Sequence, residues 1–225
     1  MAPHHYDALV RRQVEGRKLI LTGAPLAAFD SSFLRRLTDQ GATGIFIIAD
    51  GVGTGDLPPP DLAEWIVLPA RAESINDEIR RFRRKLARPS KRLRERLDEW
   101  DPEKNAIVLG GPFYSMSRLA GRIVLGARRP EWEALEDKVV IDELWDAAAV
   151  DRVPVAVGPA EAEPLRAAAR DLDHGDGTVW AGDAREGFNG GAEYVRWARS
   201  RDDEVEAISF YLEHCDRVRV MTFLE

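Results

Sequence analysis

The stretch KLILTGAPLAAFDSSFLRRLTDQGATGIFIIA, residues 18–49, decides the fold of the first half of the chain. Lys18 to Thr22 is a short apolar run closed by Gly23, and Gly44 to Ala49 is a second, rich in β-branched residues. Between them Asp30 and Ser31 offer an N-cap to a short helix through Phe33, Leu34 and Leu37. Runs this continuous suit strands covered on both faces, and a helix between two of them marks a parallel sheet. Two further runs, Trp65–Leu68 and Ala106–Leu109, extend the pattern to four strands.

Between the third and fourth strands the chain turns basic. Ile75, Ile79, Phe82 and Leu86 recur at helical spacing, Leu93, Leu97 and Trp100 resume the stripe, and Pro89-Ser90 divides it into two helices. From Arg80 to Arg96 there are ten Lys or Arg and one acid, Glu95. A nucleic-acid patch and two solvated helix faces both fit this run. The absence of interleaved aromatics and the acidity of the whole chain argue for the solvated faces.

The 225 residues carry a net charge of −7, with 44% apolar and 32% charged side chains, which excludes a disordered chain. No apolar run approaches the ~20 residues of a spanning helix, and the N-terminal residues lack a signal-peptide core. Cys215 is the single cysteine, so no internal disulfide framework exists, and a cytoplasmic protein is expected. Charge is uneven: residues 1–130 balance to +6 and residues 131–225 to −13. That break predicts two modules, 1–130 and 131–225.

The second module reads as a helix through Leu135, Val139, Leu144 and Trp145, a strand at Pro154–Val157, and an Ala-rich helix from Glu163 to Leu172. Strands at Thr178–Ala181 and Tyr194–Trp197 flank a glycine loop, and an acidic helix, Asp202–His214, leads to a last strand at Arg217–Leu224. The loop, Gly182-Asp183-Ala184-Arg185-Glu186-Gly187-Phe188-Asn189-Gly190-Gly191, suits either close backbone approach to a phosphate or an ordinary hairpin turn. Lys138 is the only lysine after Lys104 and suits either a helix ion pair or a phosphate. No Walker A sequence is present, and Gly51-Val52-Gly53-Thr54-Gly55-Asp56 runs into prolines instead of a helix, so it is read as a loop. Gly23-Ala24-Pro25 and Gly110-Gly111-Pro112 end strands where open α/β sheets bind ligands, and a plain turn fits them equally. Cys215 lies between His214 and Asp216, but neighbours in sequence do not face each other on a helix, so it reads as a buried structural thiol.

This order of elements resembles the ATP-grasp superfamily. Residues 1–130 resemble its α/β, Rossmann-like pre-ATP-grasp domain, and residues 131–225 resemble the α+β nucleotide lid. The phrases Gly126-Ala127-Arg128-Arg129-Pro130-Glu131-Trp132 and Trp180-Ala181-Gly182 through Gly191 are similar to those of actinobacterial ATP-grasp proteins related to peptide ligases. The resemblance implies ATP with Mg²⁺, and ligation of a carboxylate to an amine through an acyl phosphate. It implies that Lys138 reaches the ATP phosphates, that Arg185, Glu186, Gly187, Phe188, Asn189, Gly190 and Gly191 close over them, and that Met221, Thr222, Phe223 and Leu224 meet adenine through their backbone. Two positions depart from the family. Trp180 stands where a second lysine is expected, and Met221 and Thr222 stand where a glutamate is common. The family's second subdomain, with its metal ligands, would follow Glu225. A chain without it is expected to hold no Mg²⁺ ligand set, to be catalytically incomplete, and to self-associate through the face left open. A non-catalytic interaction or nucleotide-binding module is the alternative, and a nucleic-acid binder using Arg80–Arg96 the weaker one.

Overall fold

Successive residues of the central strands point to opposite faces of one sheet, and each face meets its own helices. The computed structural model describes residues 3–110, 115–126, 128–183, 185 and 192–224, and the chain divides into two compact units at Pro130/Glu131. The first unit runs α1 (Pro3–Val14), β1 (Lys18–Thr22), α2 (Ser31–Asp39), β2 (Gly44–Ala49), β3 (Glu64–Val67), α3 (Ile75–Ala87), α4 (Lys91–Trp100), β4 (Ile107–Leu109), β5 (Arg118–Leu119) and β6 (Arg122–Leu125). Its sheet has the order β3-β2-β1-β4-β6-β5, parallel except for the β5–β6 pair. Leu19, Leu21, Ile45 and Ile47 pack with Val14, Leu34 and Leu37 of α1 and α2. Ile20, Phe46, Ile48 and Val108 pack on the other face with Phe82, Leu86, Leu93 and Leu97 of α3 and α4. The mixed α/β class and the four expected strands are therefore present, in one sheet.

Side-chain caps set the helix starts. Asp30 Oδ1 accepts from the backbone N–H groups of Ser32 and Phe33 at 2.8 and 2.9 Å and from the Ser32 hydroxyl; the hydroxyl bond first, then the N–H bonds, hold its carboxyl below the ordinary range. Ser74 caps α3, and Ser90, just after Pro89, caps α4.

The β5–β6 hairpin was not legible as strands. Its turn, Ala120-Gly121, places both residues at positive φ, 47° and 90°, as a two-residue hairpin turn requires. Arg122 opens β6 with no exposed surface. Its Nε donates to Asp101 at 2.8 Å, Nη1 to Asp98 and the Ala120 carbonyl, and Nη2 to the Leu97 and Asp101 carbonyls. All five N–H donors are used. Asp101, only 4% exposed, also accepts from the N–H groups of Asn105 and Ala106 and so fixes the entry into β4.

The second unit contains α5 (Ile141–Ala147), β7 (Val155–Pro159), α6 (Ala162–Leu172), β8 (Thr178–Gly182), β9 (Val195–Ala198), α7 (Arg201–His214) and β10 (Arg217–Thr222). Its antiparallel sheet has the order β7-β10-β8-β9, separate from the first sheet. Leu165 and Ala169 of α6 and Ala207, Ile208 and Tyr211 of α7 pack on one face against Trp180, Val218 and Val220. Ser200 and Asp203 form a reciprocal capping box at the start of α7. The single helix expected through residues 135–145 is instead a 3₁₀ segment, Pro130–Glu136, a turn, and then α5. Asp137 accepts from the Val139 N–H at 2.9 Å, and this local bond breaks the helix.

Removing the Arg122 guanidinium strands the Asp101 carboxylate away from water. Arg122→Ala is expected to lower stability by about 3–5 kcal/mol, whereas Arg166→Ala, which breaks the exposed pair with Glu163 at 2.8 Å, should cost under about 1 kcal/mol. Urea unfolding of both variants checks this.

Candidate functional site

In the first unit the candidate site lies where the connections from neighbouring strands part. β1 and β4 are adjacent, with Leu21 opposite Leu109. After β1 the chain passes to the α2 face, where Leu26 is buried, and after β4 it returns with Met116 and Leu119 on the α3–α4 face. Gly23 and Gly110 therefore stand at a topological switch point at the carboxyl ends of the strands, the usual ligand edge of an open α/β sheet. Between the two strands, Thr22 Oγ1 donates to the Leu109 carbonyl at 3.4 Å. Gly111 and Pro112 lie outside the described residues.

The loop after β2 docks on the segment that follows β1. Leu26 and Ala27 donate their N–H groups to the carbonyls of Gly51 and Val52, both at 2.9 Å. Gly53 has φ 77°, and a Cβ there would meet Pro25 Cβ at 2.9 Å, so the position admits only glycine. The GVGTG segment is thus a packed loop, as read from the sequence. Burial pushes the Asp50 carboxyl above its ordinary 3.8, and nearby Glu78 adds to the rise against the N–H groups of Asp50 and Gly51. Glu78 itself accepts from the Ala72 N–H at 3.2 Å.

In the second unit, an ion-pair chain joins two segments the sequence singled out. Lys138 stands in the turn before α5, not on a helix. Burial lowers its ammonium pKa, and adjacent Asp137 opposes that. Asp137 accepts from Arg217 Nη2 at 3.4 Å, and Arg217 Nε donates to Asp183 at 3.2 Å. Asp183 Oδ1 also accepts from the N–H groups of Asp216 and Arg217, each at 2.9 Å. The Lys138 turn is thereby tied to the root of the glycine loop.

The described part of that loop is structural. A Cβ at Gly182 would lie 2.9 Å from the Tyr211 ring, so this glycine serves packing. Arg185 donates to the Asp216 carboxylate at 3.0 Å and to the Glu213 and Cys215 carbonyls at 2.8 Å. Its guanidinium is held at the end of α7. Glu186, Gly187, Phe188, Asn189, Gly190 and Gly191 lie outside the described residues.

Met221 and Thr222 belong to β10, with Met221 opposite Val155 and Val179, and Thr222 opposite Thr178. Thr222 also gives its N–H to the Pro154 carbonyl at 3.3 Å. Of the four expected adenine contacts, only Phe223 and Leu224 extend past the strand pairing. Phe223 stacks on Trp197, with centroids 4.2 Å apart and planes 14° apart, and Arg199 lies 4.3 Å over the Trp197 ring. Sequence reasoning missed Trp197, although an exposed tryptophan on a strand is itself a signal. This stack and Val157 occupy the sheet face opposite α6 and α7, where α5 covers one end. There Asp142 takes Arg219 in a bidentate pair at 2.6 and 2.7 Å.

Among the described residues no group of three or more His, Cys, Asp or Glu side chains converges on a metal position, and no helix is long and apolar enough to cross a membrane. Cys215 is 1% exposed, and burial, with Asp183 nearby, pushes its thiol up to about 12.

Two measurements check these environments. Cys215 should resist iodoacetamide at pH 8 in the folded chain and react once the chain is unfolded, as a buried protonated thiol must. For Asp50, the folded state keeps a proton that the unfolded chain has lost as pH rises from 3.8 to the elevated folded value. Stability therefore falls with rising pH across that window. Asp50→Asn should remove the fall, so its stability relative to the parent, measured by denaturant unfolding at several pH values, should increase as pH rises. No family model matches this chain, and no curated protein matches it.

Proposed function

We propose that residues 131–224 act as the nucleotide-holding lid of an ATP-grasp carboxylate–amine ligase. The observation that carries this reading is the Asp137–Arg217–Asp183 chain, which ties the turn of Lys138 to the root of the glycine loop. The sheet beside it has both long helices on one face, leaving the Trp197–Phe223 stack on the other. In this proposal Lys138 meets the phosphates, and the backbone of Phe223 and Leu224 meets the adenine edge. Met221 and Thr222 act only as strand residues that aim the two after them. Arg185 fixes the loop base. The reaction of such a ligase passes phosphate from ATP to a carboxylate, and an amine then displaces it to form an amide.

In the first unit, the strand ends at Gly23 and Gly110 are the proposed substrate edge. Asp50, just after neighbouring β2, adds a carboxylate at the same ends of the strands, which favours an amine over an anion. The described residues supply no ligand set for Mg²⁺, so no metal-dependent step is assigned to them. Binding of nucleotide without turnover is the second reading. The engagement of Arg185 by three protein oxygens favours it, because that charge is not available to a transferring phosphoryl group.

Calorimetric titration tests the assignment. ATP should bind the 225-residue chain, and Lys138→Ala should weaken it by about 1–3 kcal/mol, the scale of a lost charge-assisted contact. Absence of ATP binding, or equal binding by the parent and variant with unchanged circular dichroism, would defeat the lid reading.

A further inference from the structure

The basic run of the first unit separates into two populations once its partners are known. On α4 two of the four cations have acid partners: Lys91 faces Glu95 at 3.6 Å, and Arg96 faces Glu64 and Glu99. On α3, Arg80 pairs with Asp77 at 2.9 Å. A second set has no carboxylate within ion-pair reach among the described residues: Arg81, Arg84 and Lys85 on α3, and Arg88 at its C-cap. The first three stand at i, i+3 and i+4 on one side of the helix, and Arg88, just past its end, lines the same groove.

That stripe forms one wall of a groove of about 530 Å³, and Pro69, Ala70 and Arg71, just after β3, form the other. Two of the cations are held in place by the opposite wall: Arg81 Nη1 donates to the Arg71 carbonyl at 2.8 Å, and Lys85 donates to the Pro69 carbonyl. Five cationic side chains thus line one concavity that has no acidic lining residue. Like charges three and four residues apart weaken a helix. The four gather on one side, facing the Pro69–Arg71 wall, with no acid among them to offset that cost.

We propose that this groove binds a compact polyanion of the di- or triphosphate class. The concave shape and the two carbonyl-anchored cations supply a preorganised site, and the forked guanidinium groups of Arg71, Arg84 and Arg88 match phosphate oxygens. The stripe from Arg81 to Arg88 is about 10 Å long, too short to follow a nucleic-acid backbone for more than a few phosphates. No aromatic side chain lines the groove to stack a base. These two features set a small polyanion above a nucleic acid.

The probe is inorganic tripolyphosphate, titrated calorimetrically into the full chain. One-to-one binding is expected, weakening as salt rises from about 50 to about 200 mM. The double variant Arg84→Ala/Arg88→Ala should weaken binding by at least about tenfold, and Lys91→Ala/Arg92→Ala, on α4, by less than about twofold. All four side chains are exposed, so both variants should unfold at the parent's temperature. Four results would overturn the proposal. They are no binding by the parent, equal weakening by the two double variants, binding lost in Lys138→Ala but kept in Arg84→Ala/Arg88→Ala, and tighter binding of a labelled single-stranded oligonucleotide than of tripolyphosphate.

Discussion

A guanidinium sealed from water must find an acceptor for every N–H it carries, and Arg122 meets that demand with acceptors from three separate places in the first unit. Its acceptors come from the end of α4, the residue that caps it, and the turn of its own hairpin. Satisfying all of them fixes where α4 stops, where β4 starts and which strand lies beside β4. Because β6 pairs in parallel with β4 while β1 holds its other edge, the chain that leaves β4 comes back beside it, and the switch point falls between β1 and β4. A buried ion pair contributes little net stability over an apolar replacement, but it discriminates strongly against arrangements that leave it short of partners.

The second unit is organised around one strand. β10 lies between β7 and β8, and its alternate residues serve different tasks. Val218 and Val220 enter the core under α6 and α7. Arg217 and Arg219 face the other way, and hold Asp183 with Asp137, and Asp142, respectively. Through this one strand the helical core, the turn of Lys138 and the root of the glycine loop are held at fixed positions. The same strand delivers Phe223 to Trp197 at its far end. The proposed phosphate and adenine contacts therefore share one rigid support, which a nucleotide-holding face requires.

The strands of the first sheet were legible because continuous apolar runs bounded by glycine have few other uses. β6 was not, because a strand that opens on a buried arginine does not look apolar, and nothing local to Arg122 announces acceptors more than twenty residues earlier. The helix expected through Lys138 failed for a different reason. Leu135 and Val139 have helical spacing, but the Asp137 carboxylate offers the backbone a competing bond. Lys138 and the loop were picked out by composition and by the order of elements. The link between them joins Asp137 to Arg217, eighty positions apart, and only the folded chain displays it. The cationic stripe of α3 was present in the spacing of Arg81, Arg84, Lys85 and Arg88. What the sequence could not show is which of the ten cations already have acids.

The anchoring of Arg185 has a thermodynamic consequence for whatever reaches the glycine loop. Its guanidinium closes the carboxyl end of α7 by taking the Glu213 and Cys215 carbonyls together with Asp216. An anion that draws this side chain away competes with the helix terminus for a single cation, so its apparent affinity is reduced by the free energy of the contacts given up. By reciprocity, a change that loosens the end of α7 raises the affinity of such an anion by the same factor. Occupancy of the loop and fraying of α7 are then two readings of one equilibrium, and amide exchange at Glu213–Asp216 would report on a ligand that never touches those residues.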